Sequence, residues 1–160
     1  VIAMKPLPEE REVLQRMAPG VLCREGFLGP DRRGLQEILD SDRAEVERLG
    51  TTHEQIARRL GEVCEAAMAA LGGEVPVAGG RLRAVFHEAM GYIPSPWGEG
   101  LTFPKGEVEL SDPRTGRKLR FTPLSVHLIA RHGFYQGRGS RYRVEPAEVA
   151  RMFRLEPPEP

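Results

Sequence analysis

His87, His127 and His132 are three of the chain's four histidines. Imidazole is a common metal ligand and the side chain best suited to move protons near neutral pH. If the three converge, they can hold zinc and leave a fourth position to water, the arrangement of an open zinc site. Glu88 follows His87, but adjacent strand residues point to opposite faces, so an acid–base pair here would need one of the other histidines. A second chemistry lies in the arginines. From Pro113 to Val144 there is no acidic residue, and the segment carries Arg114, Arg117, Lys118, Arg120, Arg131, Arg138, Arg141 and Arg143 among Phe121, Phe134, Tyr135 and Tyr142. Guanidinium forks match phosphate oxygens, and aromatic rings stack on bases. Arg117, Arg120, Arg138, Arg141 and Arg143 are therefore candidate phosphate contacts, with Tyr135 and Tyr142 as candidate stacking rings. The stretch Gly137-Arg138-Gly139-Ser140-Arg141 adds backbone N–H groups that can approach an anion closely.

The elements that carry these residues are legible in outline. Glu9 to Ala18 reads as a short helix, followed by a Gly/Pro-rich loop over Pro19 to Pro30. Asp31 is a candidate N-cap for a helix through Leu39, and Ser41 or Asp42 for a second ending at Leu49-Gly50. Thr52-His53-Glu54-Gln55 fits a capping box, after which Ile56, Leu60, Val63, Ala67 and Leu71 recur at helical spacing until Gly72-Gly73. Val75 and Val77 form a short extended piece. Leu82, Ala84 and Phe86 then alternate with Arg81, Arg83 and His87 as in a strand. Pro94 to Gly98 reads as a rigid loop, with Trp97 either a surface recognition ring or, in better accord with its Pro and Gly neighbours, a lid over a core edge. Strands at Gly106–Ser111 and Arg117–Thr122 flank the turn Asp112-Pro113-Arg114-Thr115-Gly116, with Val108, Leu110, Leu119 and Phe121 on one buried face. Helices are expected at Leu124–Arg131 and from Glu145-Pro146 to Phe153, with a frayed tail at Glu156–Pro160.

The expected fold is α+β: a helical N-terminal half, residues 1–75, packed on a small antiparallel sheet with one or two C-terminal helices, residues 76–160. The halves are small enough that docking into one unit is expected.

Several signatures can be weighed against this outline. A hairpin followed by a helix bearing His127-x4-His132 matches the histidine half of a zinc finger, but no Cys-x2-4-Cys precedes it, and Cys23 and Cys64 lie far upstream. On a regular helix the two histidines stand about 140° apart, so they converge only where the helix end tightens. Thr51 to Ala57 superficially resembles the entry to a DNA-recognition helix. That helix has a broad apolar stripe to bury and glutamates on its outer face, which excludes the role. No P-loop or dinucleotide-binding glycine pattern is present.

The chain has 160 residues, a formal net charge of zero and 40% hydrophobic residues, a composition of globular protein. The charge is uneven: residues 1–75 hold 10 Lys/Arg against 14 Asp/Glu, and residues 76–160 hold 13 against 9. Arginine outnumbers lysine 20 to 3 and asparagine is missing, a bias expected of a thermophilic or high-GC bacterium. No apolar run reaches the length of a membrane span, no signal peptide is visible, and two cysteines make no disulfide framework, so a cytoplasmic location is expected. The leading functional expectation is an intracellular module that binds nucleic acid or another polyanion through segment 113–144. The alternatives are a small metal-dependent enzyme using His87, His127 and His132 with zinc, or a regulatory module whose arginines meet an acidic protein.

Overall fold

The computed structural model describes residues 8–155. Five helices and four strands run in the order α1 (Pro8–Met17), α2 (Leu35–Arg48), α3 (His53–Ala69), β1 (Val75–Val77), β2 (Leu82–Pro94), β3 (Thr102–Ser111), β4 (Lys118–Phe121), α4 (Pro123–His132) and α5 (Pro146–Phe153). The strands form one antiparallel sheet in sequential order, each paired with its chain neighbour. The fold is α+β. The expected frayed tail at 156–160 lies outside the described residues.

The alternating pattern of the strands produces a single buried face. Val108 stands opposite Phe121 and Leu110 opposite Leu119, and these four side chains are buried together with Leu82 and Ala84 of β2. The apolar stripe of α3 (Ile56, Leu60, Val63 and Ala67) covers that face, and Val149 and Met152 of α5 join the same cluster. This core draws on residues from both sides of position 75. A second cluster is built from Val13 and Met17 of α1, Phe27 of the loop after it, Leu35 and Ile38 of α2, and Leu124 and Leu128 of α4.

Some local expectations shift. The two short helices expected around residue 40 are one continuous α2, with Gly34 as N-cap and no side-chain cap. Asp42, expected as a cap, is buried inside this helix. Asp31 instead accepts from Arg33 and from the backbone N–H of Arg138. At the start of α3, Thr52 accepts the Gln55 N–H at 3.1 Å, while the Gln55 side chain takes the Thr51 hydroxyl instead of completing the box. Leu71 stands beyond the end of α3 and is exposed.

Strand β2 runs far past Phe86. Its register against β3 slips between Glu88, opposite Gly106, and Tyr92, opposite Pro104, which marks a bulge. The extension carries the connecting loop, residues 95–101, out to the C-terminal end of α4. Helix α4 starts at a reciprocal Thr122–Ser125 capping box. It ends at Gly133 in the left-handed region, where the Gly133 N–H reaches Ile129 and the Phe134 N–H reaches Leu128. A Cβ at Gly133 would lie 2.7 Å from His53 Nε2, so this helix end also needs glycine for space. Among the described residues no helix is long and apolar enough to cross a membrane.

Candidate metal centre

The loop between β2 and β3 is pinned from two sides. Buried Ser95 accepts the Trp97 N–H on its hydroxyl at 3.2 Å, and the Gly98 N–H closes onto the Ser95 carbonyl. Arg16 of α1 donates its Nε–H to the Pro96 carbonyl. This small turn projects Glu99 toward α4.

Glu99 meets both α4 histidines. His127 Nε2 lies 3.0 and 3.1 Å from the two carboxylate oxygens, and His132 Nε2 lies 3.0 Å from Oε1. Ser95 donates its hydroxyl to the same Oε1 at 2.6 Å. The imidazoles approach the one carboxylate with centroids 5.8 Å apart and planes at 78°. Trp97 stacks on His132 at 4.1 Å and 7°, and Phe103 lies 4.8 Å from His127, so aromatic faces fix both rings. The three side chains are only 11–20% exposed. Burial alone would raise the Glu99 pKa. Hydrogen bonds from His127, Ser95 and His132 outweigh it and hold the carboxyl at about 2.

The donor set suits a divalent transition metal. One ligand atom from each of Glu99, His127 and His132 lies within 4.8 Å of the others. Tetrahedral zinc with bonds of about 2.0–2.1 Å places its ligand atoms roughly 3.3 Å apart, so the N···O separations of 3.0 Å need only slight spreading. Two borderline imidazoles and one hard carboxylate also fit iron(II), and they leave at least one position open. Neither Nδ1 makes a hydrogen bond among the described residues, so the rings are oriented by Trp97 and Phe103 rather than by outer carboxylates.

His87, the third histidine singled out from sequence, stands elsewhere. It points from the outer face of β2 to within 3.7 Å of Glu109, with a side chain 55% exposed. Glu99 takes the third place in the cluster, and sequence reading passed over it. Its signal was faint: a lone acid between Gly98 and Gly100 in the loop already marked by Trp97.

The basic segment is distributed in several directions. Arg117 donates to Glu148 at 3.0 Å. Arg120 lies between Glu107 and Glu109, and Lys118 beside Glu109, so the outer face of β3 and β4 is a ladder of alternating charge. Arg141 stands 3.7 Å from Glu25 and 3.6 Å from Glu107, over the ring of Tyr142. The Arg138 backbone N–H binds Asp31, and its exposed guanidinium makes no ion pair among the described residues. Two residues expected on the basic face are inside instead. The Arg143 guanidinium is buried against Asp42. Tyr135, 1% exposed, shares a hydrogen bond of 2.8 Å between its hydroxyl and His53 Nδ1. The long apolar body of each is absorbed by the core, which overrides what their polar ends suggest from sequence.

Comparison of the chain with protein-family models, with curated proteins and with solved structures gave no match.

Proposed function

We propose that this protein binds a divalent transition metal, zinc in the first instance, through Glu99, His127 and His132. The observation that carries the reading is the convergence of two Nε2 atoms from one helix on a single carboxylate from a pinned loop. Three protein ligands and an open position are the pattern of catalytic zinc, whereas structural zinc is closed by four. In that arrangement the metal would act as a Lewis acid toward a bound water or substrate oxygen. His127 and His132 would be ligands in the neutral form, and Ser95 would hold the carboxylate.

A polyanion partner ranks second. The carboxylates of Glu107, Glu109 and Glu148 interleave with the cations that would meet phosphate, and a phosphate backbone would face both signs of charge. Cys23 and Cys64 are unpaired thiols, which fits a reducing cytoplasm.

The test is elemental analysis of protein purified without a metal-affinity tag, followed by zinc titration of chelator-treated protein against a competing indicator. One zinc per chain is expected, with loss in His127→Ala and in Glu99→Ala while circular dichroism shows both variants folded. A folded wild-type protein that takes up no stoichiometric zinc at micromolar concentration sinks the reading.

A further inference from the structure

A cleft of about 440 Å³ opens between the bulged β2–β3 hairpin, the loop after α1 and the loop after α4. It contains none of Glu99, His127 or His132 and is a separate site from the metal centre. Its wall is apolar where Phe27, Ile93 and Leu124 meet. The bulge shapes this wall. Gly106, at φ +133°, sits opposite Glu88, and a Cβ there would lie 2.6 Å from Phe86 Cζ, so only glycine lets the hairpin close on that ring.

One polar side chain in the wall is only half used by the fold, its amide nitrogen reaching the open cleft. Gln136 is 5% exposed, and its Oε1 accepts the Ser140 hydroxyl at 2.7 Å. Its side-chain N–H groups make no hydrogen bond among the described residues, although the residue lines the cleft. The Gln136 backbone has φ +71°, in the left-handed region that non-glycine residues rarely occupy. Arg143 clamps its carbonyl at 2.8 Å, and the Gly137 N–H bonds to the Phe27 carbonyl. A strained residue held by its surroundings with a free donor in a cavity wall is a feature of binding sites.

Charge decides what the donor is for. Arg24, Lys105 and Arg141 line the cleft with Glu88 and Glu107, and Glu25 also reaches Arg141, so its cations stand among carboxylates of similar number. Arg141 is only loosely paired, at 3.6 Å from Glu107 and 3.7 Å from Glu25, so its donors can turn to a ligand. One carboxylate can be met by Arg141 together with the Gln136 amide, whereas a second negative charge would face Glu88, Glu107 and Glu25. We propose that the cleft binds a small monoanionic amphiphile, a carboxylate on an apolar body, with the apolar part against Phe27, Ile93 and Leu124 and the carboxylate between Gln136 and Arg141.

Decanoate is the probe, titrated into the full chain and followed by calorimetry and by backbone amide NMR shifts. Saturable one-to-one binding is expected, with decanol and decylammonium at least tenfold weaker because each lacks the charge-assisted contact. Ala89 is exposed on β2 and lines the cleft, so Ala89→Trp fills it without touching the core and is expected to abolish binding. Arg141→Ser is expected to weaken it about tenfold, and Glu99→Ala to leave it unchanged. The proposal is overturned by an absence of saturable decanoate binding, by decanoate binding that survives Ala89→Trp in a folded variant, or by decyl phosphate or decylammonium binding tighter than decanoate.

Discussion

Arg143 grips Asp42 through two parallel bonds of 2.8 Å, Nη1 to Oδ2 and Nη2 to Oδ1, across 101 residues of chain. Both side chains are nearly sealed, at 7% and 6% exposure. Burial works against the charge on Arg143, but hydrogen bonds to Asp42 and Glu145 outweigh it and raise the guanidinium pKa further. Such a pair adds little net stability over apolar residues of the same volume, yet removing one partner strands a buried charge. Asp42→Leu is therefore expected to cost about 3 kcal/mol or more. Asp42→Leu with Arg143→Met should recover part of that loss, the remainder reflecting the Gln136 carbonyl that Arg143 also satisfies. Urea unfolding of both variants checks this, and a single-variant loss under about 1 kcal/mol would mean that Glu145, together with water, is enough to satisfy the guanidinium.

The buried Tyr135–His53 bond carries a pH dependence. Burial raises the Tyr135 pKa, so the phenol keeps its proton while bonded to His53 Nδ1. Burial also lowers the His53 pKa below its ordinary 6.5, with Arg43 adding to that and Asp42 and Glu47 opposing it. Between 6.5 and the lowered value the unfolded chain binds more protons than the folded one, so stability rises with pH through this window and falls as pH drops through it. His53→Gln should remove that part of the slope. Unfolding free energies measured from about pH 5 to 7.5 decide it, and identical slopes in the two proteins would discard the assignment.

Local rules made much of the fold legible and left the long-range pairs dark. The alternation of Val108 and Leu110 against Leu119 and Phe121 specifies the hairpin and its buried face, because strand periodicity and turn chemistry are properties of neighbouring residues. Asp42 looked like a helix cap for the same reason, since nothing near it in the chain reveals Arg143. His127 and His132 drew attention by spacing, but what joins them is an acid 28 residues before His127, which reaches both from a regular α-helix without any tightening of its end. His87 was legible as an outward strand residue, and that alternation is what keeps it on the ladder with Glu109.

That ladder makes a prediction about nucleic acid. Arg120, Lys118 and Arg141 are 56–62% exposed and sit within 4 Å of Glu107 or Glu109, so these exposed pairs are weak and exchangeable. The acids nonetheless cancel the field a phosphate backbone would meet. Wild-type protein is expected to bind labelled duplex DNA weakly and with a shallow salt dependence. Glu107→Gln with Glu109→Gln should tighten binding and steepen the slope of log K on log salt by roughly 0.9 for each phosphate newly engaged. Fluorescence anisotropy at two salt concentrations reads both quantities. Steep, tight binding by the wild type would restore the basic segment as a polyanion site.

Ser95 offers a graded test of the metal reading, because it holds a ligand without being one. Its hydroxyl donates to Glu99 Oε1 at 2.6 Å while its own oxygen accepts the Trp97 N–H, so one side chain fixes both the carboxylate and the ring stacked on His132. Partners of this outer kind are worth about 10–100-fold in metal affinity, and loss of a true ligand is worth much more. Ser95→Ala is therefore expected to weaken zinc binding by about 10–100-fold and to keep the stoichiometry at one per chain. Ser95→Thr, which retains the hydroxyl, should bind closer to wild type. If Ser95→Ala and Ser95→Thr fall together, crowding in the buried turn is responsible and the hydroxyl has no part in orienting Glu99. If Ser95→Ala abolishes uptake altogether while the chain stays folded, the loop is positioned by Ser95 more than by Arg16, since the Arg16 bond to Pro96 would then be unable to hold Glu99 in place alone.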